Sequence, residues 1–268
     1  MIYCNLFGGG FQHASSTTLN KKSKSITWNY NKFINEKTFY IDNSIIQGLN
    51  DKKSKVKFGI LLESKFVVKD LKKICVNNVD ILKKEYRYIF THDYDLLKID
   101  PELFKYCPAN GTWIDKPKIY NKNKLVSMIS SAKNFTPGHK FRLKFINQYK
   151  SQLDLFGRGF NEIKYKEEGL KDYMFSICIE NGNYDCYFTE KILDCFACGT
   201  IPVYYGTSKI SDYFDSKGIV FIDSNFNINN LTKRLYESKI NSINYNFSLI
   251  ENYYTVEDYI YQNYLIEE

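Results

Sequence analysis

Short apolar runs of strand length alternate with stretches in which apolar residues recur at helical spacing. The strand-like runs lie at residues 1–7, 56–62, 87–91, 125–131, 152–160, 174–179, 200–206 and 218–223. Helical spacing is found at residues 67–85, 189–199 and 227–239. This alternation predicts an α/β protein. Nearly continuous apolar strands favour parallel sheets that are buried on both faces.

Two Rossmann-like domains are predicted, with the passage between them at residues 107–123. That stretch combines two prolines, a glycine turn and mixed charges, which are typical of a connection. We therefore expect a first domain at 1–122 and a second domain at 123–245. A tyrosine-rich tail at 246–268 is expected to be helical and to pack back on the first domain.

The stretch from 173 to 206, YMFSICIENGNYDCYFTEKILDCFACGTIPVYYG, concentrates the candidate chemistry. It predicts a strand, a turn-rich loop, a helix that ends at Gly199 and a second strand. Units of this kind bind ligands at the carboxyl ends of their parallel strands. The polar residues that fall at this end are Glu180, Asn181, Tyr187, Thr189, Glu190 and Lys191.

The predicted helix begins at Thr189, whose hydroxyl can cap a backbone N–H, so Glu190 and Lys191 lie in its first turn. A carboxylate is favourable beside the positive end of the helix dipole, whereas a lysine is unfavourable unless an anion joins it. Helix amides together with an ammonium form a suitable cradle for a diphosphate. The alternative is a solvent-facing Glu–Lys pair on an ordinary amphipathic helix.

The whole string resembles the donor-binding signature of the α1,3-fucosyltransferases of glycosyltransferase family 10. In that signature an apolar strand ends in Glu-Asn, Tyr-x-Thr-Glu-Lys follows, and a helix leads to Ile-Pro-x-Tyr-x-Gly. The match covers residues 177–206 and continues into KISDYF at 209–214. The resemblance implies two domains facing across a cleft, the GT-B arrangement, with a nucleotide-sugar donor bound by the second domain.

The resemblance also implies roles for basic and acidic residues of the second domain. Arg142 occupies the place of the arginine that holds the donor diphosphate, and its guanidinium can grip two phosphate oxygens. A surface arginine is the alternative for this position. Lys191 is expected to share the diphosphate, and Glu190 to accept hydrogen bonds from the ribose hydroxyls. Arg158, in a Gly-Arg-Gly turn, is a further candidate near the nucleotide.

The first domain is expected to supply the general base. In the resembled family a glutamate at a strand end takes the acceptor proton, and Glu63 follows the strand at 56–62 in a comparable place. His92 and Asp93, at the end of the next strand, are the alternatives. A helix cap or an ordinary structural role stays open for all three residues.

The segment after the first predicted strand is expected to be a loop. Gly8, Gly9 and Gly10 lack the spacing of a dinucleotide fingerprint or a P-loop, which favours a plain flexible turn. Residues 12–37 are rich in Ser, Thr, Asn and Lys and, apart from 26–30, are poor core material. We expect this segment to lie around the acceptor cleft.

Composition narrows the choice of partners. A chain of 268 residues with 44% hydrophobic content can form globular cores. Its net charge of +7 suits anionic partners, but only four of its 37 basic residues are arginines. Nucleic-acid readers depend on arginine for bidentate contacts, so we expect no nucleic-acid partner.

The seven cysteines form no disulfide framework, which predicts reduced thiols in a cytosol. Cys195 and Cys198 form a CxxC at the end of a predicted helix, whereas a redox CxxC opens one, and a second zinc-ligand pair is missing. No metal site is predicted. No segment resembles a signal peptide or reaches the ~20 apolar residues that span a bilayer. A soluble cytoplasmic protein of bacterial or viral type is expected, in the host cytoplasm if viral.

The predicted reaction is inverting transfer of fucose from GDP-fucose to a glycan hydroxyl. The expected partners are therefore a nucleotide-sugar donor and a glycan acceptor. No cofactor or metal is required if Arg142, Lys191 and the helix dipole neutralise the diphosphate. Three alternatives stay open: a related transferase that uses another nucleotide sugar, a lysine-rich nucleic-acid-binding protein, and a non-catalytic sugar-binding module.

Overall fold

The computed structural model describes residues 1–9, 16–18 and 21–266. Two compact units are formed: the first by Met1–Gly111 with Asn252–Glu268, the second by Thr112–Glu251. The change of unit lies before the predicted bound at 122, because the end of the connection bonds within the second unit: the Lys118 N–H donates to the Ala197 carbonyl, at 2.8 Å.

Six parallel strands form the sheet of the first unit, in the order β2-β1-β3-β4-β5-β6. The strands are β1 Ile2–Phe7, β2 Ile26–Tyr30, β3 Lys37–Ile41, β4 Val56–Leu61, β5 Tyr88–Thr91 and β6 Phe104–Tyr106. The helices of this unit are α1 Ser44–Gly48, α2 Leu71–Asn77, α3 Val79–Glu85, α4 Tyr94–Ile99 and α9 Val256–Ile260.

Strand β2 coincides with residues 26–30, the part of the segment 12–37 that was excepted as core material, and Ile26 and Trp28 are buried against the sheet core. The helix expected over 67–85 is two helices, α2 and α3, which meet at Asn78. Gly10, residues 12–15 and residues 19–20 of the expected loops lie outside the described residues.

The C-terminal segment contributes to the core of the first unit. Val256, Ile260 and Leu265 are buried in the cluster that contains the inner faces of β1, β3 and β4. The Glu257 carboxylate accepts hydrogen bonds from the Thr17 N–H and the Thr17 hydroxyl, both at 2.7 Å. Residues 252–266 thus complete the unit that the N-terminal strands begin.

Five parallel strands form the sheet of the second unit, in the order β11-β10-β9-β7-β8. The strands are β7 Lys124–Ile129, β8 Asp154–Phe156, β9 Tyr173–Ile179, β10 Ile201–Tyr205 and β11 Val220–Phe221. The helices are α5 Pro137–Tyr149, α6 Glu190–Ala197, α7 Lys233–Ser238 and α8 Ile240–Ser248. All seven residues of β9 are buried, which explains its continuous apolar run.

Both units have the doubly wound topology. Counted in chain order within each unit, the first five strands lie in the order 2-1-3-4-5. This order has a switch point beside its first strand, where ligands bind at the carboxyl ends of the strands. In the second unit the switch point lies between β7 and β9. The prediction of two Rossmann-like α/β domains is confirmed.

No helix among the described residues is long and apolar enough to cross a bilayer.

Candidate functional site

Helix α6 begins as the sequence predicts. The Thr189 side chain caps it by accepting a hydrogen bond from the Lys191 N–H, and Glu190 and Lys191 occupy the first turn. The helix ends at Ala197, and Gly199 follows with a φ of +68°, a left-handed conformation that favours glycine. The first turn of this eight-residue helix therefore lies directly after the loop that follows β9.

Glu180, which follows the end of β9, holds the start of α6 through hydrogen bonds. Its carboxylate is completely buried and accepts hydrogen bonds from the Thr189 N–H at 2.9 Å and the Thr189 hydroxyl at 2.8 Å. The Lys191 ammonium lies 3.1 Å from the same carboxylate and 2.7 Å from the Thr189 hydroxyl. The Lys191 side chain is 21% exposed, whereas its counterion Glu180 is completely buried. The charge of Lys191 therefore lies at the surface of the site.

Arg142 lies on α5 and is buried beside the end of β9. Its Nη2 donates to the Ile179 carbonyl at 2.7 Å and to Asn181 Oδ1 at 3.0 Å. Burial lowers the pKa of Arg142 below its usual range, but an arginine keeps its charge at any physiological pH. The structure thus brings two predicted site residues, Arg142 and Asn181, into direct contact.

The start of α5 packs tightly against the residues that follow β9. The Gly138 N–H donates to the Asn181 carbonyl at 3.1 Å. Thr136 caps α5 in a capping box with His139, and burial, followed by the Arg142 charge, lowers the pKa of His139 to about 4. A neutral His139 can accept a hydrogen bond at Nδ1 from the Thr136 N–H, as the 3.3 Å distance indicates.

Replacing Gly138 by alanine is expected to destabilise the protein by about 1–3 kcal/mol through overpacking. A Cβ at this position would lie 1.8 Å from the Glu180 carbonyl oxygen and 2.6 Å from the Asn181 carbonyl carbon. Chemical unfolding measures the change. Gly9→Ala is the matched control, because no described atom lies within 4 Å of a Cβ there. Equal stability of the two variants would contradict the close approach of α5 to the end of β9.

The two remaining candidates of the second unit lie in different surroundings. Tyr187 is buried in the loop before α6, and its ring stacks on Tyr184 at 4.5 Å between centroids. Arg158 is exposed in the turn after β8, between two glycines with positive φ. Among the described residues, no hydrogen bond joins its side chain to Asn181.

Lys166, which the sequence did not single out, contacts one of the predicted site residues. It opens a short 3-10 turn, and its Nζ lies 3.3 Å from Glu190 Oε1 and 2.8 Å from Asp194 Oδ2. The Lys191 ammonium lies 3.6 Å from the same Glu190 oxygen. Burial would raise the pKa of Glu190, but Lys166 and Lys191 outweigh it and hold that pKa well below its usual range.

Glu63 is exposed just after the end of β4 in the first unit, and the backbone that carries it is fixed from two sides. The Leu62 and Glu63 N–H groups donate to Asp42 Oδ1 at 2.9 and 3.3 Å. His92 Nε2 lies 3.1 Å from the Leu62 carbonyl. Burial raises the pKa of Asp42 to about 6 and lowers that of His92 to about 4.

Asp93 has a structural role at the start of α4. Its carboxylate accepts hydrogen bonds from the Asp95 and Leu96 N–H groups and lies 3.1 Å from the Lys72 ammonium. A cavity of about 30 Å³ within the first unit is lined by Asp93 together with Glu63, His92 and neighbouring side chains. All three residues that were candidates for the general base therefore line the same cavity.

The structure also bears on the predictions about redox cysteines and metal binding. All seven cysteines are buried, and burial raises the pKa of the Cys195 thiol well above its usual range, which disfavours the thiolate needed for redox chemistry. Within the described part of the chain, no group of three or more His, Cys, Asp or Glu side chains has the arrangement of a metal site.

A doubly wound unit that brings two helix starts, Arg142 and Lys191 together beside one strand end is suited to bind a nucleotide through its phosphates. The sequence profile described as "Glycosyltransferase family 10 (fucosyltransferase) C-term" matches residues 119–264, more than half of the chain. The chain belongs to this family. The resemblance that residues 177–206 indicated is confirmed.

The relatives match over limited stretches. The chain is 40% identical over 62 residues to "Alpha-(1,3)-fucosyltransferase FucT" of Helicobacter pylori, which covers 23% of this chain and 13% of the relative. It is 27% identical over 127 residues to "4-galactosyl-N-acetylglucosaminide 3-alpha-L-fucosyltransferase 9" of Bos taurus, which covers 45% and 34%. The alignments therefore span at most 34% of the length of these relatives.

Solved structures share the fold at low identity. "Crystal Structure of alpha1,3-Fucosyltransferase with GDP" superposes with a TM-score of 0.50 at 17% identity, covering 92% of this chain and 80% of that chain. "Crystal Structure of TarM" gives a TM-score of 0.53 at 13% identity, covering 84% and 53%. At these identities the superpositions show the fold alone.

Proposed function

We propose that this protein is an inverting fucosyltransferase that transfers fucose from GDP-fucose to a glycan hydroxyl. The observation that carries the proposal is the group of Arg142, Lys191 and the start of α6 at the end of β9, on a chain of family 10. Cations and helix amides at the carboxyl end of a parallel strand are suited to a nucleoside diphosphate.

The diphosphate is held by Arg142 and Lys191. Negative charge builds on the phosphate as the bond to the sugar breaks, so fixed cations stabilise the transition state more than the bound donor. Glu180 positions Lys191 and Thr189, and the start of α6 adds its dipole. These groups supply positive charge without a metal, and GDP-fucose is the only small molecule that the reaction needs besides the acceptor.

The nucleoside and sugar are held by the remaining residues of the loop and helix start. The ionised Glu190 accepts hydrogen bonds from the ribose hydroxyls, and Asn181 and Tyr187 shape the neighbouring walls. The burial and stacking of Tyr187 support a wall role, since a fixed ring loses little entropy on binding.

Glu63 of the first unit is the general base. The acceptor oxygen attacks the anomeric carbon, the bond from that carbon to the β-phosphate oxygen breaks, GDP leaves, and the acceptor proton passes to the Glu63 carboxylate. Exposure of Glu63 supports this role, whereas Asp93 already caps α4 and His92 is buried with its Nε2 at the Leu62 carbonyl. The bovine relative is named for a 4-galactosyl-N-acetylglucosaminide acceptor, which makes this glycan the first acceptor to test.

A thermal-shift panel of nucleotides tests the donor assignment. GDP is expected to stabilise the protein more than UDP, ADP or CMP does, because a specific ligand at 100 times its dissociation constant adds about 2.7 kcal/mol to the free energy of unfolding. Double-stranded DNA serves as a control for binding by charge alone. Equal shifts with all four nucleotides would contradict the guanine assignment.

A further inference from the structure

Lys166 lies between two carboxylates that are one helical turn apart on α6. Its Nζ is 3.3 Å from Glu190 Oε1 and 2.8 Å from Asp194 Oδ2. Glu190 and Asp194 stand at positions i and i+4, where like charges repel each other. The ammonium between them offsets that repulsion and fixes the position of both side chains.

Lys166 itself is held in place by the buried Asp194 carboxylate and the Trp113 ring. The side chain of Asp194 is 2% exposed, and its Oδ1 accepts hydrogen bonds from the Thr112 hydroxyl at 2.8 Å and the Trp113 N–H at 2.7 Å. The Trp113 ring centroid lies 4.6 Å from the Lys166 Nζ, within the range of a cation–π interaction. An ammonium gripped by a buried carboxylate and an indole ring has little freedom to leave Glu190.

The two lysines beside Glu190 differ in their other contacts. Lys191 lies 3.6 Å from Glu190 but closer to Thr189 and Glu180, at 2.7 and 3.1 Å, at the helix start where the diphosphate is proposed to bind. A bound diphosphate would share the charge of Lys191. Lys166, on the Asp194 side of Glu190, keeps its charge for the carboxylates.

We propose that Lys166 is a positioning residue of the nucleotide site, which holds the Glu190 carboxylate oriented towards the ribose hydroxyls while Lys191 serves the diphosphate. This inference rests on the proposed function, because it assumes a nucleoside diphosphate at the start of α6. It adds to that function a residue from outside the segment 173–206.

The charged groups around Glu190 set the expected pH dependence. Lys166 approaches it from the 3-10 turn, Lys191 and Asp194 from α6, and the charge of Arg142 acts from α5. Burial raises the pKa of Glu190, and Lys166 and Lys191 lower it. Without Lys166, and with Lys191 engaged by phosphate, less positive charge opposes the effect of burial, so the pKa of Glu190 is expected to rise. Glu190 would then become protonated at a higher pH in the variant than in the wild type.

The test is the affinity for GDP, measured by calorimetry between pH 8 and pH 5, in the wild type and in Lys166→Met. The affinity of the variant is expected to fall by roughly threefold or more beyond the wild type over this range, because a protonated Glu190 accepts ribose hydroxyls less well. Protonation of GDP itself is common to both proteins and cancels in the comparison. Lys166→Arg, which keeps the cation, is expected to restore the wild-type profile.

Two further variants separate positioning from a general structural effect. Lys164→Met removes an exposed lysine of the same segment and is expected to leave the profile unchanged. In a Glu190→Gln background, Lys166→Met is expected to add no pH dependence, and a further shift there would overturn the proposal. Lys166→Gln replaces Lys166→Met if the latter does not fold. A wild-type profile in the Lys166 variant would also overturn it, whereas failure of the wild type to bind GDP would refute the proposed function instead.

Discussion

Replacement of Glu63 by glutamine is expected to lower the rate of fucosyl transfer by roughly 10²- to 10⁴-fold. Glutamine keeps the shape of the side chain but cannot take the proton of the acceptor hydroxyl. The donor is proposed to bind to the second unit, so the variant should keep the full GDP-induced thermal shift. The measurement is the initial rate of GDP release from GDP-fucose in the presence of the acceptor glycan.

Asp93→Asn is the matched control for Glu63→Gln. Asparagine is a good N-cap, so α4 should be preserved, and most of the transfer rate should remain. The opposite pattern, with normal transfer in Glu63→Gln and a large loss in Asp93→Asn or His92→Ala, would assign the base to the end of β5 instead of β4.

Lys191→Ala is expected to reduce the turnover number by more than about tenfold, within the range seen when one charge-stabilising group is removed. The loss should appear mainly in turnover, because the ammonium acts most strongly as charge builds on the departing diphosphate. Arg142→Ala should act in the same direction. Lys144→Ala, which removes an exposed lysine of α5, is the control and should keep the wild-type rate.

A paired variant separates the catalytic effect from a folding effect. Lys191→Ala leaves the Glu180 carboxylate buried without its cation, which can destabilise the fold. Glu180→Gln together with Lys191→Met removes both charges, so this protein should fold and still turn over slowly. Near-normal turnover in the paired variant and in Arg142→Ala would show that the diphosphate lies elsewhere.

The sequence predicted the parts of the site that are close together along the chain. The strand β9, the Thr189 cap and the first turn of α6 follow from apolar periodicity and capping chemistry, which are local properties. The sequence also predicted that the ligand binds at the carboxyl ends of parallel strands, which is where the switch point between β7 and β9 lies. Arg142 was identified as a candidate through the family resemblance. In the structure its helix, α5, packs against the end of β9.

The features of the site that could not be predicted from the sequence depend on contacts between segments that are far apart along the chain. Lys166 is one of many lysines, and only its approach to Asp194, 28 positions later, distinguishes it from a surface residue. Asp42 holds the backbone of Glu63 from a left-handed turn with a φ of +47°, which no local pattern indicated. Glu180 was predicted as a donor-binding residue, but its buried contacts with Thr189 and Lys191, which position the helix start, were not predicted.

Calorimetric titration of GDP-fucose into the wild-type protein tests whether the second unit binds this donor at the end of β9. We expect saturable binding of one molecule per chain, competition by GDP, no competition by UDP, and weakened binding in Glu190→Ala. Absence of binding, or binding that UDP displaces as well as GDP does, would contradict this expectation.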